Sequence, residues 1–534
     1  MANKNLFRGN NRGVTAPAYT AVNEAGGRAY SRSSEEALAQ YVVTGTLNGT
    51  FYANADTQLD NILELAGKCS TRFLGEAAVY ARRIAKMKDT PALLAAILTT
   101  RGEEGLHLLE NLSVFNAVVN NQKQLRNFVQ ILRSGKVGRK SLGTAVKRLV
   151  QNWLAAQDGD RLFYQSVGNA PSLADVVKMV HPKPANKEHE AFFGWLLGRK
   201  YNKRYLPTLV KSFEKYKENP DKAEVPAVDF RMLTALNLGE AQWKAIGYAA
   251  NWDMLRQNLN TFVRHGCFND KAFVQYVAQK LADVSEVRKH NVFPYQLLTT
   301  FQAIEGKVPV QISNAVQDAM EVATENIPEL KGSLAVAIDV SQSMESPVTG
   351  VREGATTSTK CVDVAALVAA SLLRKNGSAE IVPFDTRVHN VSINPRDSVM
   401  TNARKLAIHG GGTDCSIALA HLLVHDIRCN TVIYVSDNQS WYRNSPGNSS
   451  GSIWWTPGGG RGTTMADAWA KYKVKNPKAK LICIDLQPYG TVQVIDNKDV
   501  LNIGGFTDSV FEVIANFVNG DSRDFVKVIK DSAK

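Results

Sequence analysis

The fold of the C-terminal region is decided by residues 334–344, which read LAVAIDVSQSM. An apolar run containing Val and Ile leads directly into Asp339, as in a buried central strand of a parallel sheet. Asp339 would then stand at the carboxyl end of that strand, where open α/β sheets place their ligands. Ser341 and Ser343 follow at alternate positions, and one carboxylate with two hydroxyls suits Mg²⁺ or a similar cation. Short Asp/Ser loops are also common turn chemistry, which is the alternative at this point.

The chain beyond residue 344 alternates between helical and strand-like patterns. Apolar helical segments are predicted over 361–375, 416–428, 465–474 and 509–518, and short buried strands over 379–384, 431–437 and 481–485. This alternation predicts a doubly wound parallel sheet with right-handed crossovers. Thr413 follows a glycine run and Asp437 ends a strand, so both are expected at the same edge of the sheet as Asp339.

The loops that converge on this edge predict a divalent-cation site. Its donors would be Asp339, Ser341, Ser343, Thr413 and Asp437. Hydroxyls and carboxylates together make an octahedral oxygen set with room for water or an acidic partner ligand, and Mg²⁺ is the expected ion. Asp385 and Asp414 are interpreted as turn residues instead.

Helical periodicity dominates the N-terminal part of the chain. Residues 1–32 are rich in Gly, Asn and Arg and are predicted to form an irregular arm. Amphipathic helices are then predicted over 56–66, 73–87, 92–98, 122–134, 140–156, 188–200, 251–265 and 270–282. Many such helices joined by short polar turns indicate stacked helix pairs, as in an α-solenoid. A plain helical bundle is the alternative, but one bundle core rarely grows to this size.

The charge of the chain is positive and unevenly distributed. The net charge is +13, and residues 1–300 carry 40 basic and 26 acidic side chains, against 23 and 24 in the remainder. An excess confined to one part of the chain favours a nucleic-acid surface over a merely solvated face. The candidate phosphate contacts cluster around a glycine-bearing turn and are Arg126, Arg133, Lys136, Arg139, Lys140, Lys147 and Arg148. Flexible cations there can reach phosphates without reading sequence, although a solvated helix connection is equally compatible.

A second basic segment, residues 171–184, reads PSLADVVKMVHPKP. Its Pro-Ser and Asp positions begin a short helix and its later prolines end that helix. His181 therefore falls at the helix C-terminus, where a positive charge is mildly favoured, with Lys178 and Lys183 beside it. A histidine that only caps a helix end is the alternative interpretation.

This second segment resembles the matching helix of the Ro autoantigen family, which includes the bacterial Ro-sister (Rsr) proteins. Residues 293–301, FPYQLLTTF, look like another segment of that family, and DVSQSM at 339–344 falls where its von Willebrand A-like domain begins. The resemblance covers almost the whole chain in the right order. It implies a TROVE module of HEAT-like helix pairs closed into a ring over 33–328. A Rossmann-like von Willebrand A-like domain over 329–534 would carry a metal-ion-dependent adhesion site at the five donor positions.

The resemblance also implies a function. Family members bind Y RNAs on the outer surface of the ring, and structured or misfolded RNAs whose single-stranded 3′ ends thread its central hole. His181 matches a family histidine that is important for Y RNA binding. The implied role is a non-catalytic scaffold or adaptor in noncoding RNA quality control and decay, with polynucleotide phosphorylase reached through the RNA. Residues 162–168 depart from the vertebrate pattern because they contain no Lys or Arg, and the nearby cations are Arg161, Lys178 and Lys183.

Other features of the sequence narrow the class of protein. No secretory signal or membrane-spanning apolar run is visible, and the six cysteines are scattered without a Cys-x-x-Cys pair. A cytoplasmic monomer with reduced thiols and no membrane partner is expected. Two alternative functions are a metal-dependent ribonuclease and a metal-dependent protein-adhesion module. Two-metal nucleases need clustered carboxylates, whereas the predicted ligands here are mostly hydroxyls, so a protein that is not an enzyme is favoured.

Overall fold

The computed structural model describes residues 16–44, 47–110, 114–164, 166, 170–290, 292–351, 359–441, 462–507, 509–520 and 524–532. The chain divides into two compact units. The sheet unit contains the described residues up to Gln58, those of 326–353 and those of 359–528. The helical unit contains mainly residues 59–325, together with the described residues after 528.

The N-terminal segment begins with strands β1 (Ala21–Val22) and β2 (Arg28–Ser31), followed by helices α1 (Ser34–Thr44) and α2 (Ala55–Lys68). The two strands pair antiparallel, and β2 also pairs with residues Thr491–Val492. The prediction of an irregular arm is therefore wrong for the described part of that arm. One reason is that the second partner of β2, Thr491–Val492, lies far along the chain, where local composition carries no signal of it.

The boundary between the units also differs from the expected one at residue 33, because α1 belongs to the sheet unit. Gly504, in the sheet, lies so close to α1 that an added Cβ would come within 2.2 Å of Gln40 and 2.9 Å of Val43. Helix α1 packs on β8 and is buried along most of its length.

The helical unit confirms the prediction of successive helices. After α2 its helices are α3 (Thr71–Arg83), α4 (Thr90–Leu98), α5 (Gly102–Glu110), α6 (Val114–Val118), α7 (Gln122–Arg133), α8 (Gly143–Ala155), α9 (Gly159–Tyr164), α10 (Leu173–Val180), α11 (Lys187–Leu196), α12 (Thr208–Glu218), α13 (Phe230–Leu233), α14 (Glu240–Ala249), α15 (Trp252–Gln257), α16 (Leu259–Arg264), α17 (Lys271–Ala282), α18 (Val284–His290), α19 (Pro294–Ile304) and α20 (Val310–Ala323). Helices close in sequence pack on one another, as α3 does on α4 and α19 on α20. The single helix predicted over 251–265 is two helices, because Asn258 has φ −118° and ψ 15°, outside the helical region.

The remaining elements are β3 (Leu334–Asp339), α21 (Cys361–Lys375), β4 (Glu380–Phe384), α22 (Val399–Leu406), α23 (Ile417–Val424), β5 (Thr431–Ser436), α24 (Thr464–Lys475), β6 (Lys480–Asp485), β7 (Thr491–Val492), β8 (Val500–Gly504), α25 (Ser509–Val518) and α26 (Phe525–Ser532). The main sheet has the order β4-β3-β5-β6-β8, and its neighbouring strands are parallel. The predicted α/β fold of this region is confirmed. Residues 444–464 are rich in Gly and Ser around Trp454 and Trp455, a composition that predicts an exposed loop, and most of them lie outside the described residues.

The core of the sheet unit explains why these segments are strands. Every residue of β3 and β5 is buried, as expected for central strands covered on both faces. The edge strand β8 is also fully buried, and helix α1 packs on it. The six cysteines are free and buried, in agreement with reduced thiols. Over the described ranges, no helix is both long and apolar enough to cross a membrane.

Candidate metal centre and basic surface

The predicted donors lie where the strand order of the main sheet reverses. Strand β3 pairs with β4 on one side and with β5 on the other, so the chain leaves β3 and β5 in opposite directions. Open α/β sheets bind ligands in the crevice at such a switch point, beyond the carboxyl ends of the strands. Asp339 is the last residue of β3, and Asp437 immediately follows β5.

The Asp339 carboxylate is fully buried and is held on both of its oxygens. Oδ1 accepts the backbone N–H of Ser341 at 2.8 Å, and Oδ2 accepts the hydroxyl of Ser436 at 2.6 Å. The hydroxyl oxygens of Ser341 and Ser343 lie 3.2 Å apart on the same loop. Burial raises the pKa of Asp339, against the lowering effect of the bonds from the two serines that contact it.

The Asp437 carboxylate is equally buried but only partly satisfied. Oδ1 accepts the backbone N–H of Gln439 at 3.2 Å, whereas Oδ2 has no hydrogen-bond partner among the described residues. Burial, followed by the charge of Asp339, raises the pKa of Asp437 to about 7. A buried carboxylate oxygen without a donor, beside a second buried carboxylate, is an arrangement that a bound cation stabilises.

Thr413 reaches this edge because hydrogen bonds join three loops. The Gln342 N–H donates to the Gly411 carbonyl at 2.9 Å, which ties the loop after β3 to the glycine run. The Trp441 N–H donates to the Thr413 carbonyl at 3.1 Å, which ties that run to the loop after β5. The five predicted donors therefore lie at one edge of the sheet, Asp339 at the end of β3 and the other four beyond the strands. Their hydroxyls and carboxylates suit a hard divalent cation such as Mg²⁺.

The two other aspartates of this edge have turn roles, as the sequence indicated. Asp385 accepts the backbone N–H groups of Arg387 and Gly411, each at 2.9 Å, and so fixes the glycine run. Asp414 accepts the backbone N–H of Ser416 at 3.0 Å, just before α23 begins.

Two residues of this edge were missed by the sequence analysis. Ser436 could have been found from strand register, because Ile338 pairs with Val435 and the next positions are Asp339 and Ser436. Tyr52 could not, because it comes from residues 47–54. Burial, and then the charge of the nearby Asp437, raise the pKa of Tyr52, and Ser343 is close enough to lower it in part. No motif in the sequence links Tyr52 to these two residues.

The predicted phosphate contacts separate into exposed and buried side chains. The predicted residues whose side chains are exposed are Arg133, Lys136, Lys140, Lys147, Arg148, Lys178, His181 and Lys183. Arg148 lies 3.6 Å from Glu110 in an exposed ion pair, which has little effect on stability.

Arg126 and Arg139 do not fit the predicted role. Arg126 is 1% exposed, and its guanidinium donates to the carbonyls of Gln122 at 3.3 Å and Ser166 at 3.4 Å. Arg139 donates to backbone carbonyls at 2.9 to 3.1 Å, those of Thr99, Ser141 and Leu142. The prediction that Arg126 contacts phosphate is wrong because the side chain is buried. Arg139 donates its hydrogen bonds to backbone carbonyls and so stabilises the turn, whereas the sequence analysis predicted that its side chain contacts phosphate.

Part of the exposed set forms one basic surface because α10 packs on both α7 and α8. The Gln151 side chain of α8 donates to the Val180 carbonyl at the end of α10 at 2.5 Å, and Lys147 lies one turn earlier on α8. Arg133, at the end of α7, is near enough to the α10 residue Asp175 to lower its pKa, after that carboxylate's hydrogen bonds to Ser172. We define the basic surface as Arg133, Lys147, Lys178, His181 and Lys183.

His181 occupies an unusual backbone position on this surface. It caps α10 in the left-handed conformation, with φ 51° and ψ 59°. Helices commonly end this way, but usually on glycine or asparagine. The side chain is exposed, so the imidazole is available to a ligand.

The strand order and the converging loops define a von Willebrand A-type domain, carried in one chain with a unit of successive packed helices. Residues 333–449 match the family model of the Ro60 vWA domain. The chain is 24% identical to the "RNA-binding protein RO60" of Deinococcus radiodurans, over 93% of this chain and 95% of that protein. The crystal structure of the Deinococcus radiodurans RO (RSR) protein has the same fold, with a TM-score of 0.62 and 21% identity over 92% of this chain and 100% of that one. The predicted resemblance to the Ro family, in its bacterial form, is confirmed.

Proposed function

We propose that this chain is a non-catalytic RNA-binding protein of the Ro type. It binds Y-like small noncoding RNAs on the outside of a helical ring, and structured or misfolded RNAs with single-stranded 3′ ends in the central hole. The observation that carries the proposal is the basic surface on α7, α8 and α10, which includes His181. The name of the Deinococcus radiodurans relative, an RNA-binding protein, supports it.

The basic surface suits recognition of an RNA backbone. Lys147, Lys178 and Lys183 are exposed side chains with flexible stems, and such cations contact phosphates without reading bases. Each phosphate contact releases counterions, so affinity falls steeply as salt is raised. The exposed imidazole of His181, at the end of α10, adds a hydrogen-bonding group to the surface.

We further propose that Asp339, Ser341, Ser343, Thr413 and Asp437 hold a divalent cation, most simply Mg²⁺. When bound, the ion supplies positive charge that neutralises the buried carboxylates and a position that an acidic ligand can fill. The unpartnered Oδ2 of Asp437 supports this proposal. The protein would then act as a cytoplasmic, monomeric adaptor in noncoding RNA quality control and decay, with polynucleotide phosphorylase reached through the bound RNA.

The test is a binding and cleavage assay on matched RNAs. One RNA carries a structured body with a single-stranded 3′ tail, and the other carries the same body without the tail. In Mg²⁺, the protein should bind the tailed RNA more tightly and return it intact. Cleavage that is lost in Asp339→Ala would support a metal-dependent ribonuclease instead. Failure to bind either RNA at moderate salt would support the protein-adhesion alternative.

A further inference from the structure

Two histidines lie side by side on helix α23. His425 caps the C-terminal end of the helix, and its backbone N–H donates to the His421 carbonyl at 3.1 Å. The centroids of the two imidazoles are 4.4 Å apart, and the ring planes are inclined at 50°. His421 is half-buried and His425 is exposed, whereas the leucines of the helix, such as Leu422, are buried in the core. The two imidazoles therefore share the face of α23 that is turned away from the core.

The ring nitrogens of this pair are not engaged by the rest of the described structure. Among the described residues, neither imidazole takes part in a side-chain hydrogen bond or an ion pair. Other histidines of the chain do use a ring nitrogen to contact a carbonyl or a carboxylate; they are His189, His290 and His409. The nitrogens of His421 and His425 are thus available to a ligand.

The chemistry of the pair favours a transition-metal ion. Residues four apart on a helix lie on one face, and two histidines at this spacing can bind the same ion. Imidazole suits Zn²⁺, Cu²⁺ and Ni²⁺, whereas Mg²⁺ prefers oxygen ligands. A ligating imidazole must be unprotonated. Burial, and then the charge of His425, lower the pKa of His421, which favours the neutral ring, whereas the charge of Glu380 raises that pKa.

The pair is separate from the candidate Mg²⁺ donors. Helix α23 begins at Ile417, soon after Thr413, and its chain then leads to the start of β5 at Thr431. In a parallel sheet such a helix runs back from the carboxyl edge towards the amino edge. His421 and His425 are in the second half of this path, so they lie away from the edge that carries the oxygen donors.

We propose that His421 and His425 form a second metal site, which chelates Zn²⁺ or a similar transition-metal ion through one nitrogen of each ring. Within the described ranges, no group of three or more His, Cys, Asp or Glu side chains is placed to hold a metal ion. The pair is therefore a two-ligand site, unlike the four-ligand centres in which zinc is a permanent structural element. Its ion exchanges with the solution, and its occupancy follows the concentration of free metal.

The test is a Zn²⁺ titration of the full chain, without a purification tag and in excess Mg²⁺, by isothermal titration calorimetry. His421→Gln and His425→Gln each remove one ligand. Each variant should bind Zn²⁺ about 10- to 100-fold more weakly than the wild type, because a single imidazole loses the benefit of chelation. Electron paramagnetic resonance of bound Cu²⁺ should show two imidazole nitrogens in the wild type and at most one in either variant.

A matched variant separates this pair from other surface histidines. His107→Gln removes an exposed histidine of α5 and should keep the wild-type Zn²⁺ affinity. Wild-type affinity in either His421→Gln or His425→Gln would overturn the proposal, as would a wild type that does not bind Zn²⁺. An equal loss in His107→Gln would show binding by scattered histidines and would overturn it too. Thermal unfolding establishes that each variant is folded, and Zn²⁺ should raise the melting temperature of the wild type more than that of the double variant.

Discussion

The guanidinium of Arg32 forms a buried ion pair with the carboxylate of Asp485, and their side chains are only 3% and 5% exposed. Arg32 lies between β2 and α1, and Asp485 is the last residue of β6. The pair therefore connects the N-terminal segment to the carboxyl edge of the main sheet, one strand away from the candidate metal donors. Burying two charges is costly, so such a pair persists only where each charge has the other.

Replacement of Arg32, the positively charged member of this pair, by a neutral residue should destabilise the sheet unit strongly. Arg32→Gln leaves the Asp485 carboxylate buried without its partner, and loss of one partner of a buried pair costs about 3–5 kcal/mol. Urea unfolding gives the free energy. The double variant Arg32→Met with Asp485→Leu should recover much of the loss, since it leaves no buried charge. A wild-type free energy of unfolding for Arg32→Gln would contradict the ion pair.

The same carboxylate should give the protein a characteristic pH dependence. Burial outweighs Arg32 and raises the pKa of Asp485 to about 6, above the value of about 3.9 expected in the unfolded chain. The folded state thus binds the proton more tightly, so its contribution to stability is lost as pH rises from about 4 to about 6. The free energy of unfolding, relative to that of Asp485→Asn, should fall over this range and level off above it. A rise with pH would show that the pKa is lowered instead.

Cation binding should raise the stability of the sheet unit. A ligand present at 100 times its dissociation constant adds about 2.7 kcal/mol to the free energy of unfolding. EDTA should therefore lower the melting temperature, and Mg²⁺ should restore it. Asp339→Asn should abolish the response, whereas Asp385→Asn, a change to a turn residue, should keep it at a lower overall stability. A response that survives in Asp339→Asn would place the cation elsewhere.

Arg126 and Lys178 should behave differently because one is buried and the other is exposed. Arg126→Met leaves buried carbonyls without donors, which costs about 1–3 kcal/mol per unsatisfied group. It should lower stability and leave the RNA affinity of the folded protein unchanged. Lys178→Gln should lower RNA affinity and leave stability unchanged. Urea unfolding and a filter-binding assay on both variants measure the two effects, and the reverse assignment would refute the burial argument.

His181 allows its backbone and side-chain roles to be separated. Its φ of 51° suits glycine better than any residue with a Cβ, so His181→Gly should keep or slightly raise stability, while His181→Ala should not. Both variants should lose RNA affinity if the imidazole contacts the ligand. If His181→Gly keeps the wild-type RNA affinity, the role of His181 is limited to ending helix α10.

The sequence was most informative where neighbouring residues carry the signal. The strand ending in Asp339 and the position of Asp437 beside it were predictable, because parallel strands place their carboxyl ends at one edge. Tyr52 and the Arg32–Asp485 pair were not, because their partners lie hundreds of positions away. Arg126 was wrongly assigned to the surface, since composition shows charge but not burial.

The central claim, that the basic surface binds RNA through phosphate contacts, is tested most directly by the salt dependence of RNA affinity. The variant Lys147→Glu, Lys178→Glu and Lys183→Glu should bind more weakly, and its slope of log K against log salt should be smaller by about 2 to 3 than that of the wild type. Lys498→Glu, an exposed lysine of the sheet unit, is the matched control and should retain the wild-type slope. Identical affinity and slope in the wild type and the triple variant would contradict the account.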